Sequence, residues 1–287
     1  MSDAAKVRVL RAPNPSAMTG PGTNSFLIGT EEVAVIDPGP DDPGHIQAIL
    51  DAAEGRISHI LVTHAHLDHS AGVARLARAT RAPVFAFGPA DAGRSPTMQR
   101  LAAGGLTAGG EGIDHAFRPD IPLGHGAILQ SVDWTLEALH TPGHIGNHLS
   151  FRLGDAIFCG DLVMGWATTL ISPPDGDLVD FLRSLDLLAR LAPRVLYPAH
   201  GDPVTDPPAR LAELAAHRRS RSAQIMAALD RAPRTARALA VRIYDIPPAL
   251  MPAAERNVLA HLLALWDLGA VACDGPPAAD AGWRIAL

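Results

Sequence analysis

Ten residues, Thr63 to Gly72, read THAHLDHSAG, with histidines at 64, 66 and 69 and an aspartate at 68. Folding alone does not ask for this, since a buried imidazole or carboxylate must find polar partners. The preceding run ISHILVTH (57–64) is apolar and rich in β-branched residues, which reads as a buried strand. The chain must therefore deliver a dense set of donors from the end of a strand. Layered α/β folds do this, because loops at one end of a sheet converge on a shared crevice.

The first ninety residues fit such a fold. VRVLRAP (7–13) reads as a strand, TGPGTN (19–24) as a turn, and SFLIG with EEVAVIDPG as a hairpin pair. PGHIQAILDAAEG (43–55) has helical spacing, with Pro43 in the first turn and Gly55 at the end. SAGVARLARAT (70–80) reads as a helix capped by Ser70, and APVFAF (82–87) as another strand. Residues 91–122, which include the glycine-rich AAGGLTAGGEGID, are expected to be irregular. Strands return at 134–140, 148–154 and 155–161. Between 176 and 193, apolar residues at 178, 181, 182, 185, 188 and 189 mark an amphipathic helix, and RVLYPAHG (194–201) is a strand and loop. After Pro207 the pattern turns helical at 209–230, 234–244 and 252–269 and closes on a strand–turn–strand. The expected division is a first domain over 1–206 and a small helical, winged-helix-like domain over 207–287.

Three more donors sit where strands end: His144 in HTPGH, Asp161 in FCGD and His200 in YPAHG. Catalytic zinc takes imidazole nitrogen and carboxylate oxygen and keeps one position open. Two metals about 3.5–4 Å apart can share a carboxylate and polarise both ends of a displacement. Five histidines and two aspartates suit three histidines on one ion, two histidines and an aspartate on the other, and an aspartate between. The expected cofactors are two divalent ions, Zn2+ first, with Mn2+ or Fe2+ as alternatives.

HxHxDH, TPGH, GD and a final histidine, each after a strand, resemble the metallo-β-lactamase superfamily over roughly residues 20–201. The resemblance implies an αβ/βα sandwich with metals at one edge. It assigns His64, His66 and His144 to the first metal, Asp68, His69 and His200 to the second, and Asp161 to the bridge. Asp68 would also be catalytic, orienting a nucleophilic hydroxide. At His66 oxygen-reducing di-iron relatives carry a carboxylate, so the resemblance implies a hydrolase. A narrower resemblance, to the β-lactamase-like protein 2 group, rests on TGPGTNSFLIG, HTPGHIGNHLSF, GWATTLISPPDGDLVDFLRSLDLL, YPAHG and HRRSRSAQIMAAL. It implies the winged unit and admits endoribonuclease activity on single strands.

The electrophile is open: an ester, thioester, lactone or phosphodiester, with single-stranded RNA as an alternative substrate. A non-enzymatic nucleic-acid-binding or regulatory protein is a third class, against which the full donor set weighs. The chain carries a net charge of −6. Residues 207–287 hold ten arginines against seven acids, a net of +3 that leaves −9 elsewhere, so a broad phosphate-binding face is absent from the larger part. HRRSR (217–221) reads as a phosphate-facing patch or a solvated helix face. Expected substrate contacts are Thr19, beside Gly20 and Gly22 at the mouth, with Thr168, Thr169 and His148. His140 is at most a support for a ligand, and Trp166 and Tyr197 are read as packing. Two separated cysteines, Cys159 and Cys273, and an N-terminus without an apolar core fit a cytoplasmic protein with no membrane partner. Winged units of this kind serve as dimerisation or packing modules, so a homodimer is one of the open alternatives, and removal of everything after Asp206 should disturb solubility or dimer formation more than the metal site.

Overall fold

The computed structural model describes residues 6–107, 112–229 and 232–286. Strands β1 (Val7–Arg11), β2 (Asn24–Ile28) and β3 (Val33–Ile36) form an antiparallel meander. Helix α1 (Pro43–Ala53), capped by the Asp42 carboxylate, leads to β4 (Ile57–Leu61), parallel to β3. Two short helices, α2 (Leu67–Ser70) and α3 (Val73–Thr80), precede β5 (Val84–Ala86); then come α4 (Pro96–Ala103) and β6 (Ile121–Pro122). This first sheet has the order β1-β2-β3-β4-β5-β6.

The second sheet takes β7 (Ala127–Gln130), β8 (Thr135–His140), β9 (Leu149–Leu153) and β10 (Ala156–Gly160) as antiparallel neighbours. After α5 (Leu178–Leu191), β11 (Val195–Pro198) joins β10 in parallel. The two sheets face each other across Phe26, Ile28, Ile36, Leu61, Phe151 and Phe158, all buried. Both outer faces are covered too. Ile46, Ile49 and Leu76 from α1 and α3 pack on the first sheet, and Phe181, Leu185 and Leu188 from α5 on the second. Every residue of β2 and β3 is buried, as strands covered on both faces require.

Three helices follow: α6 (Pro207–Ala228), α7 (Ala236–Ile243) and, after a 3-10 turn (Pro248–Leu250), α8 (Met251–Asp267). The hairpin β12 (Val271–Cys273) and β13 (Trp283–Ile285) completes the chain. The expected boundary after Asp206 falls on the N-cap of α6, where the Asp206 carboxylate accepts from Ala209 N–H. Leu211 and Leu214, in the first half of α6, pack with Leu185 and Leu188 of α5. Ile225, near its end, packs instead with Leu239, Val258 and Trp283. One helix thus enters both cores.

Three expectations need correction. Residues 91–122 contain α4 and β6, and β7 had no strand assigned to it. Helix α4 is set by Ser95, whose hydroxyl accepts from Met98 N–H, and by Pro96 in its first turn; Met98 and Leu101 pack on the C-terminal helices. Both are local signals too short to show periodicity. Part of AAGGLTAGGEGID, residues 108–111, lies outside the described residues. Ser70 does not cap a helix; its hydroxyl donates to His66 O at 3.0 Å and to Asp114 Oδ2 at 2.8 Å, tying down the histidine segment. Among the described residues no helix is long and apolar enough to cross a membrane.

Candidate metal centre

Strand β4 continues through buried Val62 and Thr63 into His64 and His66, and α2 then turns Asp68 and His69 back toward them. His144 arrives from the loop after β8, Asp161 from the end of β10, and His200 from the end of β11. Both sheets therefore contribute, and all seven donors meet at one edge of the sandwich.

His64 Nε2 and His144 Nε2 each lie 3.0 Å from His66 Nδ1, so three ring nitrogens share one point. Beside them, Asp68 Oδ2 is 3.2 Å from His200 Nε2 and 3.4 Å from His69 Nε2. Asp161 spans the two groups. Its Oδ1 is 3.4 Å from His200 Nε2 and 3.5 Å from His69 Nε2, while Oδ2 is 3.6 Å from His144 Nε2.

The outward ring nitrogens are held as well, which fixes tautomer and orientation. His144 Nδ1 donates to Leu170 O at 2.8 Å. His69 Nδ1 donates to Asp37 Oδ2 at 2.9 Å. Thr63 Oγ1 donates to the same oxygen at 2.7 Å, which leaves the hydroxyl to accept from His64 Nδ1 at 3.0 Å. Asp37 therefore orients one histidine of each group. The sequence reading missed it because DPG after a strand looks like a turn. Asp37 does sit in the left-handed region (φ 52°), and this turns its buried carboxylate inward. Asn24 was also missed; its side-chain amide donates to Pro198 O and Gly201 O and steadies the segment that carries His200.

The expected substrate contacts divide. Thr19 lies at the cavity mouth, but its hydroxyl donates to Asn14 O at 2.6 Å. Thr168 is exposed and does not line the cavity. Thr169 is buried, and its hydroxyl donates to Asp161 O, so it braces the bridging residue and is turned away from substrate. His148 is fully buried; its Nε2 accepts from Asp161 N–H at 3.1 Å and its Nδ1 meets Thr141 Oγ1 at 3.0 Å. Gly160 makes room for that ring, since a Cβ there would lie 2.5 Å from His148 Nε2. Those last three assignments are corrected: His148 and Thr169 are buried behind Asp161, and Thr168 lies outside the cavity lining. His140 stacks on Phe87 and bonds Gly146 O, within the loop that carries His144.

The C-terminal helices reach the same place. Arg218, only 2% exposed, sends its guanidinium from α6 to Thr169 O and to Asn257 Oδ1 on α8. Arg210 donates to Met164 O and Ala167 O. Two arginines of α6 thus clamp the 162–169 segment that follows Asp161. HRRSR departs from both surfaces expected of it at two positions: Arg218 is buried and Arg221 lies over the Tyr244 ring at 4.0 Å, while Arg219 and Ser220 stay exposed. Removal of the chain after Asp206 would also take away this clamp, so it bears on the metal edge as directly as on association.

Charge is divided between the groups. Burial first, then the neighbouring His144 ring, pushes His66 down to about 3, and burial holds His64 low. Burial alone would lower His200, but the Asp161 and Asp68 carboxylates outweigh it and raise it to about 10. His69 is raised on the same balance by Asp68, Asp161 and Asp37. The donor chemistry fits cations: His69 Nε2 and Asp161 Oδ1 are buried without a hydrogen-bond partner, a state that costs about 1–3 kcal/mol per group unless filled.

A cavity of about 480 Å³ opens above this floor. His66, Asp68, His144, Asp161 and His200 form the floor, and Met18, Met164, Leu170 and Leu250 are prominent in the walls. Asp68 is the accessible carboxylate, 28% exposed against 6% for Asp161.

A family model described as Metallo-beta-lactamase superfamily matches residues 18–200, and one described as Beta-lactamase associated winged helix domain matches 235–283. The Beta-lactamase-like protein 2 homolog of Drosophila melanogaster is 29% identical, over 89% of this chain and 86% of that protein. The Atrochrysone carboxyl ACP thioesterase of Aspergillus chevalieri is 32% identical over 78% of this chain; the match spans 65% of that protein, under two thirds of its length. Among solved structures, a metallo-beta-lactamase family protein from Thermus thermophilus superposes with a TM-score of 0.78 and 27% identity, covering 97% of this chain and 98% of that one.

Proposed function

We propose, from the premise that this chain belongs to the metallo-β-lactamase superfamily and is a metal-dependent hydrolase of it, that it cleaves acyl esters or thioesters at a dinuclear centre. His64, His66 and His144 would hold one cation, Asp68, His69 and His200 the other, with Asp161 between them. When bound, two such ions supply the positive charge that makes water a nucleophile near neutral pH and polarises the bond under attack.

The chain's own part is positioning and proton handling. Asp68, held by the Thr23 hydroxyl at 3.3 Å, offers the carboxylate that opens to the cavity. It accepts a hydrogen bond from the attacking water, takes its proton, and returns that proton to the leaving thiolate or alkoxide. Water and acyl ester are consumed, and a carboxylic acid and a thiol or alcohol are released. Asp37 keeps the imidazoles of His64 and His69 turned inward throughout.

The observation that carries the acyl reading is the cavity wall. Met18, Met164, Leu170 and Leu250 suit a hydrocarbon body, whereas a phosphodiester strand asks for a row of cations along its track. The relative named a carboxyl ACP thioesterase supports this choice. The RNA alternative draws on the likeness to β-lactamase-like protein 2; its candidate phosphate patch, HRRSR, has Arg218 turned inward and Arg221 over Tyr244.

The test is a parallel assay of protein loaded with zinc or manganese, offered an acyl thioester, an acyl ester, a lactone, bis-p-nitrophenyl phosphate and single-stranded RNA. The expected result is metal-dependent turnover fastest on the ester or thioester. Faster cleavage of RNA or of the phosphodiester would overturn it.

A further inference from the structure

The far wall of the cavity belongs to the C-terminal helices. Ala249 and Leu250 from the 3-10 turn, with Pro252, Ala253 and Arg256 from the start of α8, face the same space as His66 and His200. Arg256 is the one arginine or lysine among the lining residues. Its guanidinium forms no ion pair among the described residues, and its hydrogen bond runs to a neutral acceptor, Thr107 O, at 3.0 Å. A guanidinium presents five donors in a planar fork, so one bond to a carbonyl leaves most of them free. The other cationic side chains near this edge are committed: Arg210 to Glu213 and two carbonyls, Arg218 to Thr169 and Asn257.

This leaves a cavity with a cation-binding floor, apolar walls and one uncompensated positive charge on the wall. A molecule that complements all three has an electrophilic acyl carbon at one end, a hydrocarbon middle and an anion at the other. We propose that Arg256 is a specificity-determining residue that binds an anionic group, a carboxylate or a phosphate, borne by the acyl substrate. The inference rests on the acyl-hydrolase reading above for its substrate and on the cavity geometry for its subsite. Single-stranded RNA would also bring anions to Arg256, but its phosphodiesters would be the bonds cleaved.

The test compares substrates that differ only in the distal charge. The metal-loaded protein is given the monothioester of a medium-chain dicarboxylic acid, the same thioester with its distal carboxyl methylated, and a chain-matched thioester ending in a phosphate. Non-hydrolysable thioether analogues of all three are titrated by calorimetry. A charge-assisted hydrogen bond should favour the anionic members by about tenfold in kcat/KM and in Kd. The two anionic arms say which group the fork prefers. Arg256→Gln should bring the anionic-to-neutral ratio to about one, Arg256→Lys should restore part of it, and Ala253→Glu should invert it.

An anionic-to-neutral ratio that Arg256→Gln leaves in place, in both kinetics and binding, would overturn the subsite. So would the absence of any preference in the unaltered protein. If no thioester is hydrolysed but the analogues still bind with an Arg256-dependent preference, the acyl reading fails and the anion subsite stands.

Discussion

The floor of the cavity and its far wall are built on opposite plans. Behind the floor and the donors packed under it lies a layer of supporting hydrogen bonds: Leu170 O holds His144, Thr23 holds Asp68, His148 holds the Asp161 backbone, and Asp37 holds His69 and, through Thr63, His64. The wall has apolar side chains and one arginine, with Leu250 38% exposed and little behind it but neighbouring helix. A chemical step depends on sub-ångström placement, whereas a binding wall needs only shape and charge. The contrast separates residues that decide whether the protein works from residues that decide on what.

That separation can be attacked from the floor first. His66→Ala removes the nitrogen on which His64 and His144 converge, and turnover should fall at least ~100-fold with the fold retained. Kinetics together with metal content by atomic emission checks this; undiminished turnover after metal stripping and reloading would break the assignment. Next comes the link between the two parts. Arg218→Ala leaves Thr169 O and a buried volume unfilled, which should cost about 2–4 kcal/mol of stability and loosen the segment behind Asp161. Thermal unfolding reads the first effect, and metal titration, with affinity expected to weaken, reads the second. The smallest effect belongs to the wall. Leu250→Ala should raise KM several-fold for apolar acyl substrates, through about 1 kcal/mol of lost contact, and leave metal content alone. A large fall in metal content would show that wall and floor are not separable.

The same division explains what the sequence made readable. The floor was legible because ligands come as dense, unusual residue types after strands: His64, His66, Asp68 and His69 in one run, then His144, Asp161 and His200 at comparable junctions. The strands and long helices showed through periodicity; in α5, Leu178, Phe181, Leu185 and Leu188 are the buried face. What stayed hidden depends on partners distant in the chain. Thr169 and His148 face Asp161 from behind, and nothing local shows which side of a residue looks into a cavity. Arg218 looked solvated because its neighbours Arg219 and Arg221 are polar; only the fold shows it buried beneath α8. Asp37 hid in a turn motif, and Arg256 in a helix whose pattern is mostly apolar.

Helix α6, which carries Leu211 into the sandwich and Ile225 into the helical core, has a thermal consequence. A rigid rod shared by two cores lets neither melt while the other stays intact, because losing the rod strips apolar cover from both. A calorimetric scan of this protein should therefore show one endotherm where its two-part architecture would suggest two.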